Sequence, residues 1–509
     1  MSDNKRLIKT IFISGVAAII SYLINYFLTS YITENVGVDA YGFVSIAKTA
    51  VSYAQIITIA LTNFTVRFIS VSYHKSKMRE ANEYYSSSIA ASIATSLGIF
   101  LLASAIIFNL ERFLNIPAVL TTDVKILFII VFINFVVTTI QTPFNAAAVI
   151  KNRLDIVNAM KIVSYCCDAG ILLLMFKNFT PAVWFVGIGS MTATTVNFIC
   201  NIIITHKFAP ELKFNRTSIS LGRVKKIVSH GIYNSINSLG NVLNSGLDLI
   251  VSNLLLSAVE TGQIAVVKTI ETIFNTMNAT IFQALQPKLI SSYSTGNMSN
   301  FLNQLKKSMK LCGYFTNLVF AGFFALGLLY YKLWLPGQDG GLLYKLTLLT
   351  ALMYVTDGIM KPVYYVNTLT LKNKIPCLLT VACGLLNVIS MYFLLKYTGL
   401  RAYAVVGTTT VIMISLNIIF HPLYAAWSLK ISPRPLYVVL VRQLLSAIIM
   451  TLVFKLLAQI IRPSTWWGLT ICTSIMIPCG LLIHIFITCN SWEKKQLISY
   501  ISKKNERKK

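Results

Sequence analysis

Fourteen long runs of mostly apolar residues recur along the chain, at approximately 11–32, 43–70, 86–110, 124–150, 158–178, 182–204, 228–256, 262–290, 309–331, 342–367, 376–396, 402–428, 437–461 and 466–489. About 20 apolar residues in a helix rising about 1.5 Å per residue cross about 30 Å of hydrocarbon. Each run therefore predicts one transmembrane α-helix, and they are called spans 1 to 14 in order. Span 1 is longer than the apolar part of a secretory signal and is not followed by a small-residue cleavage site, so it reads as a membrane helix. The loops between spans alternate in charge. Counting from a cytoplasmic N-terminus, the inner loops hold Lys75, Lys77 and Arg79, then Lys151 and Arg153, then a six-cation segment from Lys207 to Lys226, and so on to the basic tail from Lys494. The outer loops hold isolated cations such as Arg112, Lys177 and Arg462. Positive charge stays on the cytoplasmic side, which predicts both ends of the chain in the cytoplasm. A missed span would invert the alternation downstream, so the regularity also supports the count.

Polar residues inside the spans fall on helix faces. Span 7 carries His230, Asn234, Asn237, Asn241, Asn244 and Asp248 at steps of three and four, which is one face of a helix. Span 8 carries Lys268, Glu271, Asn275 and Asn278; span 2 carries Lys48, Ser52, Gln55, Asn63 and Arg67; span 1 contributes Ser14, Ser21 and Asn25. Isolated Asn or Ser glues membrane helices together. A continuous stripe would need a buried partner for every member, and a water-filled cavity satisfies it more simply. Charged groups at helix centres cost about 2.5–3.5 kcal/mol each on insertion scales, so they face such a cavity, pair, or snorkel. Lys48 and Lys268 each lie about 9 Å inside the outer end of their span at 1.5 Å per residue. Arg67 and Lys288 lie nearer the inner ends. Asp248 is placed to neutralise Lys268 or Lys48, and Glu271 is one turn from Lys268. Asp357 and Lys361 form an i,i+4 pair. Asp168 in span 5 has no evident partner. Pro143 and Pro362 interrupt helical hydrogen bonding inside spans 4 and 10 and predict kinks.

Composition agrees. Hydrophobic residues make up 55% of the 509 and charged residues 12%, against about 25% charged in an ordinary soluble domain, so no soluble domain of useful size remains. The formal net charge of +27 sits in short loops between spans, which argues against nucleic-acid binding. The nine Cys lie mostly in apolar segments and show no metal or disulfide spacing; they read as small packing residues. No Gly-rich phosphate loop, nucleophile–base set or metal cluster occurs, so the reading is a non-enzyme that does not itself use ATP and carries no resident cofactor.

The chain repeats. Gly42-Phe-Val-Ser-Ile-Ala-Lys48-Thr49 opens span 2, and Gly262-Gln-Ile-Ala-Val-Val-Lys268-Thr269 opens span 8. Arg67-Phe-Ile-Ser70 matches Lys288-Leu-Ile-Ser291. Pro143 followed by Lys151-Asn152-Arg153 matches Pro362 followed by Lys372-Asn373-Lys374, and Asn201 matches Asn417. The near-constant offset predicts a six-span N-lobe (1–204), a cytoplasmic linker (205–227), a six-span C-lobe (228–428), spans 13 and 14 (429–489) and a basic tail (490–509). Six crossings is even, so the lobes have the same orientation and are expected to be related by a pseudo-twofold along the membrane normal.

The doubled six-helix arrangement resembles the multidrug/oligosaccharidyl-lipid/polysaccharide flippase superfamily. So do Asp39-Ala-Tyr41-Gly42 at the start of span 2 and Gln286-Pro287-Lys288 at the inner end of span 8. The similarity is greatest to the polysaccharide transporters, which flip undecaprenyl-pyrophosphate-linked repeat units such as those of O-antigen lipopolysaccharide. Spans 13 and 14 depart from the twelve-helix form and resemble the lipid II flippase branch. The resemblance implies a multi-pass protein of the bacterial cytoplasmic (inner) membrane that works by alternating access. Its expected partners are a lipid-linked oligosaccharide, membrane lipids and the polymerase and assembly proteins of polysaccharide synthesis. A sugar head needs Asn and Ser for its hydroxyls, and a pyrophosphate needs cations. The expected cavity residues are therefore Asn25, Lys48, Gln55, Arg67, Asn234, Asn237, Asn241, Asn244, Asp248, Lys268, Asn275 and Asn278. Glu271 and Asp248 are candidates for proton or sodium coupling. The alternatives are a cation-coupled multidrug exporter of the same fold, for which Asp248 and Glu271 would be the binding acids, a lipid II flippase, and a non-transporting assembly scaffold.

Overall fold

The computed structural model describes Ile20, residues 23–151, 153–294, 296–370 and 372–490, and Lys494. Among these residues all regular structure is helical. The helices are α1 (23–36), α2 (Val38–His74), α3 (Met78–Phe108), α4 (Thr121–Gln141), α5 (Asn145–Ile150), α6 (Leu154–Asn178), α7 (Phe185–Phe208), α8 (Leu221–Ser245) and α9 (Leu247–Leu255). They continue as α10 (Ala258–Ser294), α11 (Met298–Trp334), α12 (Gly340–Leu369), α13 (Lys374–Tyr397), α14 (Ala402–Ser415), α15 (His421–Leu429), α16 (Arg434–Ile461) and α17 (Trp466–Thr488). Among the described residues, eleven stretches are long and apolar enough to cross a membrane, and they coincide with spans 2–6 and 9–14. The protein is an all-α integral membrane protein. Span 1 lies only partly within the described residues. Spans 7 and 8 form the helices α8–α9 and α10, whose polar stripes lower their hydropathy.

By packing, the described residues form two compact units. Unit A contains the residues up to Val266 together with Cys377–Arg401, and unit B contains Val267–Pro376 together with the residues from Ala402 onward. This grouping cuts across the boundary read from the repeat, because α8 lies along α2 and α13 is bonded to α8.

Close helix approach in unit A depends on small residues, as expected where helices associate by van der Waals contact. A methyl group on Gly231 would sit 1.9 Å from the Ala60 carbonyl oxygen, and one on Gly262 would sit 2.0 Å from that of Val38. On α3, Ser86, Ser87, Ser88, Ser92 and Ser96 are all buried. The Thr65 hydroxyl donates to Ser88 Oγ at 3.3 Å. The linker is strapped to the same helix: Asn215 N donates to Ser86 Oγ at 3.0 Å and Ser220 N to Ser87 Oγ at 2.9 Å. Arg223 then reaches Glu80 at 2.9 Å and Glu83 at 3.0 Å.

In unit B, α11 is the central helix, packed on α12 and α16. Its buried Asn317 donates to the Gln443 carbonyl at 2.8 Å, and Gln443 Nε2 donates to the Lys310 carbonyl at 3.0 Å. Met450 and Phe454 of α16 meet Cys472 and Met476 of α17 in an apolar cluster. The two expected kinks differ. At Pro143 the α-helix gives way to a 3₁₀ turn, Thr142–Phe144, whereas α12 runs on through Pro362 to Leu369. Span 12 contains a π-turn at Leu416–Phe420, for which its sequence carries no periodic signal. All nine Cys are free thiols.

Candidate functional site

In unit A, α2 presents a polar stripe. Lys48, Asn63 and Arg67 are exposed, and Ser52 and Gln55 are half-buried between them. The order of types follows the repeat of three and four along the helix, so the stripe stays on one side for almost the whole membrane thickness. Asn25 of α1 is also exposed. Asp168 of α6, unpartnered in the sequence, lies within the field of Lys48. It packs so closely on α7 that a methyl group on Gly189 would sit 2.3 Å from its Oδ1. Toward the C-terminal end of α2, Arg67 lies over the Phe64 ring at 5.9 Å, and Phe68 meets the His230 ring of α8 at 5.4 Å.

The stripe expected on span 7 divides. Asn241 is exposed. Asn244 is 4% exposed, with its amide donating to the Gly240 carbonyl at 2.8 Å and to the Thr380 carbonyl of α13 at 2.9 Å. Asn387 of α13 donates back to the Asn244 carbonyl at 2.9 Å. Asn244 therefore joins α8 to α13 rather than facing open space, because the small Gly240 and Gly384 bring the two backbones together. Asp248 is buried at the start of α9, and Tyr53 lies within the field of its carboxylate. The side chains of Asn234 and Asn237 lie outside the described residues. Beyond Asp248, Asn253 and Asn115 exchange three hydrogen bonds of 2.9–3.3 Å, a clamp across 138 residues that no local pattern announces.

In unit B, Lys268 Nζ lies 3.5 Å from Glu271 Oε2, with side chains only 18% and 15% exposed. The other carboxylate oxygen accepts the Tyr354 hydroxyl of α12 at 2.8 Å. The i,i+3 spacing makes the ion pair legible in the sequence. Tyr354 has no such signal, since it arrives from another helix. Further along α10, Asn275 is exposed and Asn278 buried. Asp357 and Lys361 of α12 pair at 3.3 Å. Deeper in α12, the Tyr364 hydroxyl donates to Asn417 Oδ1, whose amide donates to the Thr356 hydroxyl at 2.9 Å. The π-turn carries Asn417 into this network, and π-turns occur at functional positions. Among the described residues no three His, Cys, Asp or Glu side chains converge as metal ligands.

Two solved structures match this helical arrangement over most of their length. One is the lipid II flippase MurJ in an inward closed conformation, 15% identical, with 96% of this chain and all of that chain covered and a TM-score of 0.65. The other is an inward-facing multidrug resistance MATE family transporter of the MOP superfamily, 12% identical, with 81% and 94% covered and a TM-score of 0.63. The chain thus shares the fold of these two proteins. EpsK of Bacillus subtilis strain 168, described as an uncharacterized membrane protein, is 26% identical over 482 residues, 95% of each chain. The profile of the polysaccharide biosynthesis proteins matches residues 7–293, more than half of the chain, and the protein belongs to that family.

Proposed function

We propose that the chain flips a polyprenyl-pyrophosphate-linked oligosaccharide across the bacterial cytoplasmic membrane, without ATP hydrolysis, by alternating access between two related six-helix lobes. The observation that carries this reading is the stripe on α2. Lys48, Asn63 and Arg67 are exposed on a helix that spans the membrane. Charged groups facing lipid are too costly to keep there, so they belong against water and an anionic, hydroxyl-rich cargo. A pyrophosphate entering a cavity of reduced dielectric loses hydration that fixed cations replace. Membership in a polysaccharide biosynthesis family supports the same cargo. A multidrug exporter for cationic substrates would offer its acids to the cavity. Here Asp248 is buried, and Glu271 is held by both Lys268 and Tyr354.

The repeat gains support from Gly42 and Gly262, which are equivalent by sequence. A methyl group on Gly42 would lie 3.0 Å from Gly262 Cα, and equivalent residues meet where a twofold axis passes. Within this reading Glu271 is the candidate coupling group. Pyrophosphate engaging Lys268 would withdraw the cation from the carboxylate, and a proton would replace it.

The test is transport of a fluorescent undecaprenyl-pyrophosphate oligosaccharide in vesicles reconstituted with the full chain. Lys48→Ala and Arg67→Ala should each lower the initial rate, and the double change should lower it further at unchanged protein content. Wild-type rates from the double mutant would remove this stripe from substrate recognition.

A further inference from the structure

Arg67, Lys226 and His230 gather around two phenylalanines where α2 and α8 meet in unit A. The Arg67 guanidinium lies 5.9 Å from the centre of the Phe64 ring, and the Lys226 ammonium lies 5.8 Å from that of Phe68. The His230 ring lies 6.1 Å from Phe64 and 5.4 Å from Phe68. The negative faces of aromatic rings attract cations at this range, so the pair of rings draws basic groups from two helices to one place. All three basic residues are exposed, and both rings are half-buried.

The place is built by packing. The missing side chain of Gly231 lets α8 lie against the Ala60 backbone, which brings the adjacent His230 onto the rings of α2. Tyr84 of α3, 1% exposed, stacks on Phe68 at 5.1 Å. Arg223 covers Tyr84 at 4.9 Å and is bonded to Glu80 and Glu83. His230 Nδ1 lies 2.7 Å from the Lys226 carbonyl oxygen. A carbonyl only accepts, so Nδ1 donates there. Nε2 then serves a ligand, accepting a phosphate O–H or, when protonated, donating to a phosphate oxygen.

Position along the helix decides the ligand. α2 is 37 residues long, about 56 Å at 1.5 Å per residue, against about 30 Å of hydrocarbon. Arg67 lies about 10 Å before the helix ends at His74, which is the hydrocarbon boundary for a centred helix. Lys48 and Arg67 are about 28 Å apart along α2, so one pyrophosphate cannot touch both. At the boundary a phosphate meets cations while a polyprenyl tail stays in lipid. From Arg67 the stripe continues through Asn63, Gln55 and Ser52 toward Lys48, offering partners to sugar hydroxyls.

We infer that Arg67, Lys226 and His230 form a boundary station for the substrate's pyrophosphate, separate from Lys48 and Lys268, with the sugar head laid along the α2 stripe. The substrate class rests on the proposed cargo.

The experiment is native mass spectrometry of the purified full chain in detergent, titrated with undecaprenyl pyrophosphate, which carries no sugar. Each cation near a phosphate headgroup contributes about fivefold in affinity. Arg67→Ala with Lys226→Ala should therefore bind about twenty-five-fold more weakly than wild type. His230→Ala should weaken binding at least about threefold. Lys225→Ala, which removes a neighbouring exposed cation of α8 outside the cluster, should change it by less than about twofold. The charge-retaining pair Arg67→Lys with Lys226→Arg should stay within about threefold, which shows that the site still forms. Inorganic pyrophosphate in excess should displace the lipid, and phosphatidylglycerol at equal concentration should not. Unchanged affinity in either alanine variant of the cluster would overturn the station, as would an equal loss in Lys225→Ala or in the charge-retaining pair. Resistance to inorganic pyrophosphate would mean that the tail holds the lipid, and would overturn it too. Displacement by phosphatidylglycerol would overturn the substrate assignment in favour of a general headgroup site. If vesicles fail to transport the oligosaccharide while this binding behaves as expected, the cargo reading falls and the pyrophosphate station stands.

Discussion

Removing Glu271 tests how unit B tolerates its buried cation. Lys268 is 18% exposed and lies 3.5 Å from a carboxylate that is itself only 15% exposed. At an effective dielectric of about 20, two unit charges at that distance attract by about 5 kcal/mol before desolvation is counted. Most of that gain offsets the cost of taking both groups out of water, so the intact pair contributes little net stability. Taking away the carboxylate is different, because Lys268 keeps its desolvation cost while losing this attraction, typically about 3–5 kcal/mol. Glu271→Ala also removes the carboxylate acceptor of the Tyr354 hydroxyl, for about 1 kcal/mol more. Allowing for the residual exposure, the expected loss is about 3 kcal/mol. Glu271→Gln keeps an acceptor for Tyr354 and should cost roughly half as much. The double variant Lys268→Met with Glu271→Met removes both charges and should be more stable than Glu271→Ala alone. The assay is equilibrium unfolding of purified protein in detergent for the four chains of the cycle, with Lys268→Met completing it. A coupling energy below about 0.5 kcal/mol, or a double variant no more stable than Glu271→Ala, would refute the reasoning. Transport by Glu271→Gln adds a functional readout: if Glu271 couples an ion, the rate should stop responding to an imposed pH or sodium gradient.

Gly262→Ala forces a methyl group to 2.0 Å from the Val38 carbonyl and should cost about 3 kcal/mol, at the upper end of overpacking penalties. Gly98→Ala meets no atom within 4 Å and should stabilise α3 by about 0.5–1 kcal/mol; thermal melts of the two should shift in opposite directions. With the native cysteines replaced, Asn241→Cys should react with a water-soluble thiol reagent, while Asn244→Cys, in the α8–α13 seam, should be protected; equal labelling would contradict the division of that stripe. Where α10 begins and the chain leaves α13, Arg401 grips Glu260 through two bonds of 2.7 Å, and this holds the Glu260 carboxyl below its ordinary value of 4.5. A carboxylate with a lowered folded-state pKa stabilises the fold above its unfolded value, and that stability is lost as pH falls through the folded value. Wild type should therefore lose its advantage over Glu260→Gln as melts are taken below pH 4.5, whereas parallel curves would show that the pair contributes nothing.

The apolar runs and the alternating basic loops are enough, without coordinates, to determine a many-helix membrane protein. In hydrocarbon every backbone group must be satisfied within its own helix, so hydropathy alone sets which segments span. Pairs at i,i+3 and i,i+4, such as Lys268–Glu271 and Asp357–Lys361, are legible for the same reason, since helix geometry puts them side by side whatever surrounds them. The face of a stripe is local too, but what lies opposite that face is not. Asn241 and Asn244 are three residues apart and chemically identical, yet one is exposed and the other is spent on α13. The difference comes from Gly240 and Gly384, which let two distant segments close to contact. Tyr354 reaches Glu271 across 83 residues and Asn253 reaches Asn115 across 138. Lys306 and Lys310 of α11 share one pocket with Arg434 and Arg442 of α16, more than 120 residues away. Such groupings depend on how helices pack, and packing is decided by shape complementarity among residues far apart in the chain, which no periodicity along one segment encodes.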